Sequence, residues 1–235
     1  MLVAIAGGCG FDFGAPEPRS TQAESIVDLW RGSVIVALVV GALVWGLVIF
    51  AVIRYRRRDD RVPDQNPYNI PLEIFYTIVP VLIVAGLFWF TVVVERDVSA
   101  TSGDPDLTVE VVGFQWQWQF TYPDEGIVIT GDATGAPPEL VLPVGRTVRF
   151  ELVAADVNHS FWVPDFLYKR DLIPGVDNEI DVDITEAGTY AGRCAEFCGL
   201  DHYKMNFSVR AVPPDEFEEW ADDRAAAEPS AGDDR

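Results

Sequence analysis

Between positions 194 and 205 the chain reads Cys-Ala-Glu-Phe-Cys-Gly-Leu-Asp-His-Tyr-Lys-Met, which gathers two thiols, a carboxylate, an imidazole and a thioether. Thiolate and thioether sulfur together with imidazole favour copper over hard cations. The chain has only two histidines, and the second, His159, stands upstream in Asp-Val-Asn-His-Ser-Phe, so its imidazole would arrive from a separate loop. Three other arrangements of these residues compete. Cys194 and Cys198 could close a disulfide, which an extracytoplasmic location would permit. Two Cys and two His could hold a structural zinc ion, although Met205 and Glu196 would then have no purpose. Last, the thiols and both histidines could be core residues gathered by accident.

The pattern Cys-x-Glu-x-Cys-x3-His-x2-Met after an upstream Asp-x2-His is similar to that of subunit II of the haem-copper cytochrome c oxidases, and the resemblance covers roughly residues 25–212. It implies a binuclear copper A centre of two copper ions. Cys194 and Cys198 would bridge them, His159 and His202 would each cap one, and Met205 and the backbone carbonyl of Glu196 would be weak axial ligands. The Glu196 side chain would reach a magnesium ion shared with subunit I. Two bridging thiolates spread one electron over two metals, so geometry changes little on redox and long axial ligands tune the potential. A one-electron relay is the consequence.

Two more segments share the resemblance. In Gly113-Phe-Gln-Trp-Gln-Trp-Gln-Phe120 the aromatics alternate, which puts them on one face of a strand. Phe114, Trp118 and Phe120 read as packing residues, while Trp116 matches the tryptophan by which electrons enter in the family. Gln117 departs from the pattern, since many relatives carry tyrosine there. The segment Glu73-Ile-Phe-Tyr-Thr-Ile-Val-Pro80 resembles the one whose glutamate stands at the mouth of a proton pathway into subunit I. Glu73 has an ordinary reading too, as an acid favoured by the dipole of a helix start.

Two membrane helices and a β-sandwich are the elements expected to position these residues. Gly32 to Ile53 and Ile74 to Val94 carry no charge, and about twenty residues at ~1.5 Å each cross a ~30 Å hydrocarbon core. Buried helices of a soluble protein rarely stay uncharged on every face for so long. Arg54, Arg56, Arg57, Arg58 and Arg61 follow the first run, so the positive-inside rule puts the connecting loop in the cytoplasm. The N-terminus and the copper domain then lie on the extracytoplasmic side of the cell membrane. Beyond a Ser, Gly, Asp and Pro105 linker, short β-type runs separated by turns such as Pro123-Asp-Glu-Gly126 imply a sandwich; the resemblance makes it a cupredoxin-like Greek key.

The expected organisation is a lead-in over 1–25, a transmembrane helical hairpin over 26–96 with spans at about 32–53 and 74–94, the copper domain over 97–212, and a short helix with a disordered acidic tail over 213–235. Residues 10–25, with Gly, Pro and Ser, read as flexible. Ala6, Gly7 and Gly8 before Cys9 resemble the end of a lipoprotein signal, which makes Cys9 a lipidation candidate, although no basic region precedes it.

From Arg96 onward 28 Asp and Glu stand against 10 Lys and Arg. An acidic outer domain repels nucleic-acid phosphates and attracts a cationic protein, here cytochrome c, soluble or membrane-bound. Asp156 and Asp201, beside His159 and His202, are the docking candidates. The resemblance adds oxidase subunits I and III as partners. A quinol-oxidase subunit II would lack the copper ligands, all present here, and a nitrous oxide reductase would need a further catalytic domain for which the chain has no room. A copper-delivery or storage protein would bind colourless Cu(I) rather than form a purple mixed-valence centre.

Overall fold

The computed structural model describes residues 13–58, 62, 65–132 and 136–227; Cys9, Arg61 and the tail from 228 lie outside them. Two compact units emerge. One holds Asp28–Arg96, the other Pro16–Val27 with the chain from Asp97 onward.

The first unit contains most of α1 (Thr21–Arg54) and most of α2 (Ile70–Val98), both long and apolar enough to cross a membrane. At ~1.5 Å per residue each exceeds the ~30 Å that a span requires. Their side chains are apolar around the full circumference and exposed, as suits helices whose solvent is lipid. Helix α2 is capped reciprocally: the Leu72 N–H donates to Asn69 Oδ1 at 3.3 Å, and the Asn69 N–H donates to the Glu73 carboxylate at 2.9 Å. This arrangement satisfies donors that a helix start leaves unpaired.

Among the described residues the second unit is a cupredoxin-like sandwich of ten strands. One sheet has the order β3-β2-β1-β5-β8, from Ile127–Thr130, Gln117–Tyr122, Leu107–Phe114, Thr147–Ala154 and Asn178–Asp183. The other has β4-β10-β9-β6-β7, from Glu139–Pro143, Asn206–Val212, Gly188–Cys194, His159–Val163 and Tyr168–Leu172. The chain crosses between the sheets at β3–β4, β4–β5, β5–β6, β7–β8 and β8–β9, and β1 pairs β5 and β4 pairs β10 in parallel. Strand β1 alternates inward Leu107, Val109 and Val111 with outward residues, as period-2 patterning dictates.

Phe161 and Phe207 stack at 4.9 Å between the sheets, and Trp118 meets Phe207 edge-on at 5.3 Å. The buried Tyr122 hydroxyl donates to Val141 O at 2.9 Å and accepts from Val141 N at 3.0 Å, so β2 serves the backbone of the opposite sheet's edge strand. Helix α3 (Pro214–Ala227) lays Phe217 and Trp220 against the Tyr122 ring.

The lead-in differs from expectation. Ser20 bridges Ile184, the Thr185 N–H donates to Arg19 O at 3.0 Å, and Ser20 Oγ caps α1 by accepting from Ala23 N at 3.1 Å. Residues 19–25 are therefore ordered against the sandwich, with Ser20 and Ala23 fully buried. The aromatic run also divides. Residues Gln115 and Trp116 form the turn between β1 and β2, so Phe114, Trp116 and Trp118 do not share one strand face.

A Cβ at Gly192 on β9 would fall 2.1 Å from the Phe207 ring. Gly192→Ala must displace the central aromatic pair, and the expected loss is about 1–3 kcal/mol in denaturant unfolding of the full chain followed by near-UV circular dichroism.

Candidate metal centre

One end of the second sheet collects the sulfur and imidazole groups. His159 opens β6, Cys194 closes β9 and Met205 immediately precedes β10. The loop between β9 and β10 is closed by the Cys194 N–H donating to Met205 O at 3.0 Å, and tied to β6 by the Ala195 N–H donating to Ser160 O at 3.0 Å. Strand pairing thus fixes three of the side chains. His202 opens a 3-10 turn, His202–Lys204, which returns its ring towards the thiols.

The Sγ atoms of Cys194 and Cys198 lie 3.9 Å apart, nearly twice the ~2.05 Å of a disulfide bond, so both thiols are free. His159 Nδ1 is 3.9 Å from Cys194 Sγ, His202 Nδ1 is 3.5 Å from Cys198 Sγ, and Met205 Sδ is 3.8 Å from Cys198 Sγ. The Cys194 thiol points at the Glu196 carbonyl oxygen, 3.2 Å away. Ligand atoms of His159, Cys194 and Cys198 all fall within 4.8 Å of one another. The six groups singled out in the sequence converge here; only the Glu196 side chain faces away, exposed.

The electrostatics suit a cation. Burial pushes the Cys194 thiol up, but hydrogen bonding to His159 and to the backbone outweighs it and brings it down to about 7. Burial and the neighbouring Cys194 sulfur push Cys198 the other way. Burial opposes charging His159, yet its contacts with Cys194 and Asp156 raise it. Two thiolates this close need positive charge between them, which a metal ion supplies by deprotonating the thiols it binds.

Several residues that spacing did not reveal complete the site. The Gln115 side chain donates to the Cys198 carbonyl at 2.8 Å, the Trp116 indole N–H donates to the same oxygen at 3.2 Å, and the Trp118 N–H donates to Met205 O at 3.3 Å. Gly199, at φ +123°, lies where a Cβ would meet the Trp116 ring at 3.2 Å. Gly113 on β1 is equally constrained, its missing Cβ 3.1 Å from the His159 ring. Of these, Trp116 is the one the resemblance names, and the glycine after Cys198 could also have been suspected, because glycine is the residue suited to such a φ.

The docking candidates are both partnered. Asp201 pairs with Lys204 at 3.0 Å, and Asp156 accepts from His159 Nε2 at 2.8 Å, from Gln115 N at 2.8 Å and from Val157 N at 2.6 Å. Around the loop, Phe197, Leu200 and Tyr203 stand more than 70% exposed, an apolar collar that no charge count anticipates.

Comparison with known proteins assigns the molecule. The model of the cytochrome C oxidase subunit II periplasmic domain matches residues 107–212, and that of the subunit II transmembrane domain matches residues 9–92. The chain belongs to the cytochrome c oxidase subunit II family. A probable cytochrome c oxidase subunit 2 of Streptomyces coelicolor is 40% identical over 96% of this chain and 84% of its own. The corresponding protein of Nocardia farcinica is 37% identical over 98% of this chain and 80% of its own. The crystal structure of the periplasmic domain of subunit II from Bradyrhizobium japonicum cytochrome oxidase shares 32% identity, covering 54% of this chain and 98% of that one, with a TM-score of 0.49. The chain is thus an oxidase subunit and a membrane protein, with its β-sandwich outside the membrane.

The opposed thiols give a measurable signature. In the reduced, metal-free chain carrying Cys9→Ser, ultraviolet thiolate absorbance should show one thiolate forming near pH 7 and no second one by pH 10. Cys194→Ala should remove the neutral step.

Proposed function

We propose that the centre holds two copper ions in the copper A manner and relays single electrons from cytochrome c to the haem of subunit I, for reduction of oxygen to water coupled to proton translocation. The observation that carries this reading is the convergence of two thiols, two imidazole Nδ1 atoms, a thioether and the Glu196 carbonyl at one sheet end. A zinc site of two Cys and two His would leave the last two groups unused, although both contact a cysteine sulfur. Bound there, the copper pair supplies a reversible one-electron couple.

The chain's own residues do the rest. Cys194, Cys198, His159, His202, Met205 and the Glu196 carbonyl would hold the pair, and their soft sulfur and imidazole donors would suit a one-electron copper couple. Burial of Met205 and both cysteines keeps water from the sulfurs. The outward Glu196 carboxylate is free to reach a magnesium ion shared with subunit I. Trp116, half-buried, hydrogen-bonded to the Cys198 carbonyl and packed on Gly199, is the electron entry point. The acidic sandwich, with Asp156 and Asp201 near the loop, steers a cationic donor. Glu73, whose carboxylate accepts from the helix start, stands at the mouth of a proton pathway, and Cys9 is a lipidation site. The chain crosses the cell membrane twice and assembles with subunits I and III.

Cys194→Ser should abolish the mixed-valence electron paramagnetic resonance spectrum, because a bridge is lost. Met205→Leu should keep both coppers and shift the potential, since only a weak axial donor goes. A Cys194→Ser chain that still held two coppers in the mixed-valence state would overturn the assignment.

Entry at Trp116 and steering by charge are separable. Stopped-flow reduction across a salt series should show association slowing as screening reaches ~8 Å at 0.15 M. Trp116→Gln should leave that salt dependence intact while lowering the rate at saturating donor; an unchanged saturating rate removes Trp116 from the path.

A further inference from the structure

The two histidines of the centre are not equivalent. His159 is fully buried, packed edge-on against Trp118 at 6.3 Å, and confined by the bare Gly113 backbone. His202 is part-exposed, and among the described residues its Nε2 has no hydrogen-bond partner. The difference turns on Asp156. An ionised carboxylate can only accept hydrogen bonds, so its 2.8 Å contact places a proton on His159 Nε2 and leaves the Nδ1 lone pair facing Cys194. The carboxylate is itself held, at Oδ2 by the Gln115 N–H and at Oδ1 by the Val157 N–H. Gln115 also grips the other arm of the site, its side-chain amide donating to the Cys198 carbonyl. One turn residue between β1 and β2 therefore braces both the histidine loop and the cysteine loop.

We infer that Asp156, held by Gln115, is a positioning residue for His159 that makes this imidazole the stronger electron donor of the two, so that the two metal positions of the centre are unequal. The inference rests on the copper reading for its electronic part and on the hydrogen-bond chain alone for its positional part. A carboxylate behind a metal-bound histidine fixes the tautomer and raises the basicity of the ligand. A negative charge so close also favours the more positive, oxidised centre, so removing it must raise the potential.

The test uses the full-length chain in detergent, without donor or other subunits, comparing wild type with Asp156→Ala, Asp156→Asn, Asp156→Glu and Asp201→Asn. In the copper-free protein at alkaline pH, nitrogen NMR should show His159 protonated on Nε2 in wild type and a mixture of tautomers in Asp156→Ala. With copper loaded, wild type should show one slowly exchanging imidazole N–H, from His159, and one fast, from His202. Asp156→Ala should lose the slow one, raise the midpoint potential and weaken copper binding about 10- to 100-fold. Asp156→Glu should restore part of each effect, and Asp201→Asn should change none. If Asp156→Ala does not fold, Asp156→Asn, close in size, should show the same direction of change in potential. Unaltered tautomer, proton exchange and potential in these variants would overturn the inference and leave Asp156 without a positioning role. A wild-type chain that binds no copper pair would defeat the copper reading instead, and the copper-free tautomer measurement would still decide the positional claim.

Discussion

Two ionised thiols 3.9 Å apart in a dry pocket repel each other by ~4 kcal/mol even at an effective dielectric of about 20. The protein can hold one of them charged unaided, because His159 and the backbone stabilise Cys194; the second waits for a cation. This constraint explains why everything else at that end of the sandwich is aimed inward. The imidazoles present Nδ1, Met205 presents sulfur, and the Glu196 carbonyl lies within reach of Cys194. A cation bound between the thiols would relieve that repulsion.

Geometry is held through the backbone of the β9 to β10 loop. The β9 to β10 loop is a closed ring, because Cys194 N reaches Met205 O, and neighbouring carbonyls accept from Gln115, Trp116 and Trp118. Carbonyls that already have donors do not turn towards water. The aromatic pair Phe161 and Phe207 lies between strands β6 and β10, which carry the ends of the site, so packing density in the core sets the spacing of the ligands. The missing Cβ atoms at Gly113, Gly192 and Gly199 are the other side of the same demand for close approach.

The sulfur and imidazole residues that converge at one sheet end, and the helices, could be read from sequence because chemistry and hydropathy are local signals. Soft donors at fixed spacing, and uncharged runs bounded by arginines, need no fold to interpret. What escaped was what depends on pairing partners distant in the chain. The run from Leu107 to Tyr122 reads as one strand until β1 and β2 fold back on each other at Gln115. Strands β6 and β7 are short, and Asp171 and Pro174 mask their pattern in the sequence. The order in residues 19–25 comes from β8's end, Ile184 and Thr185, more than 150 residues away. Asp156 was visible as an acid beside His159, but whether such an acid faces water or a ring is decided by the turn opposite.

Charge acts here at two ranges, and the structure separates them. Most cations of the sandwich are spent close to home: Arg146 on Glu218, Arg149 on Asp181, Lys204 on Asp201, and Arg210 on Glu139 and Glu216. The remaining carboxylate excess is spread over the exposed surface, and a field summed over so many charges changes little when any one of them is neutralised. The Asp156 carboxylate is different in kind, because it acts pairwise on the His159 ring at 2.8 Å, well inside a screening length. The summed field of the surface and the single contact on the His159 ring can therefore be altered independently, even though both are made of carboxylates.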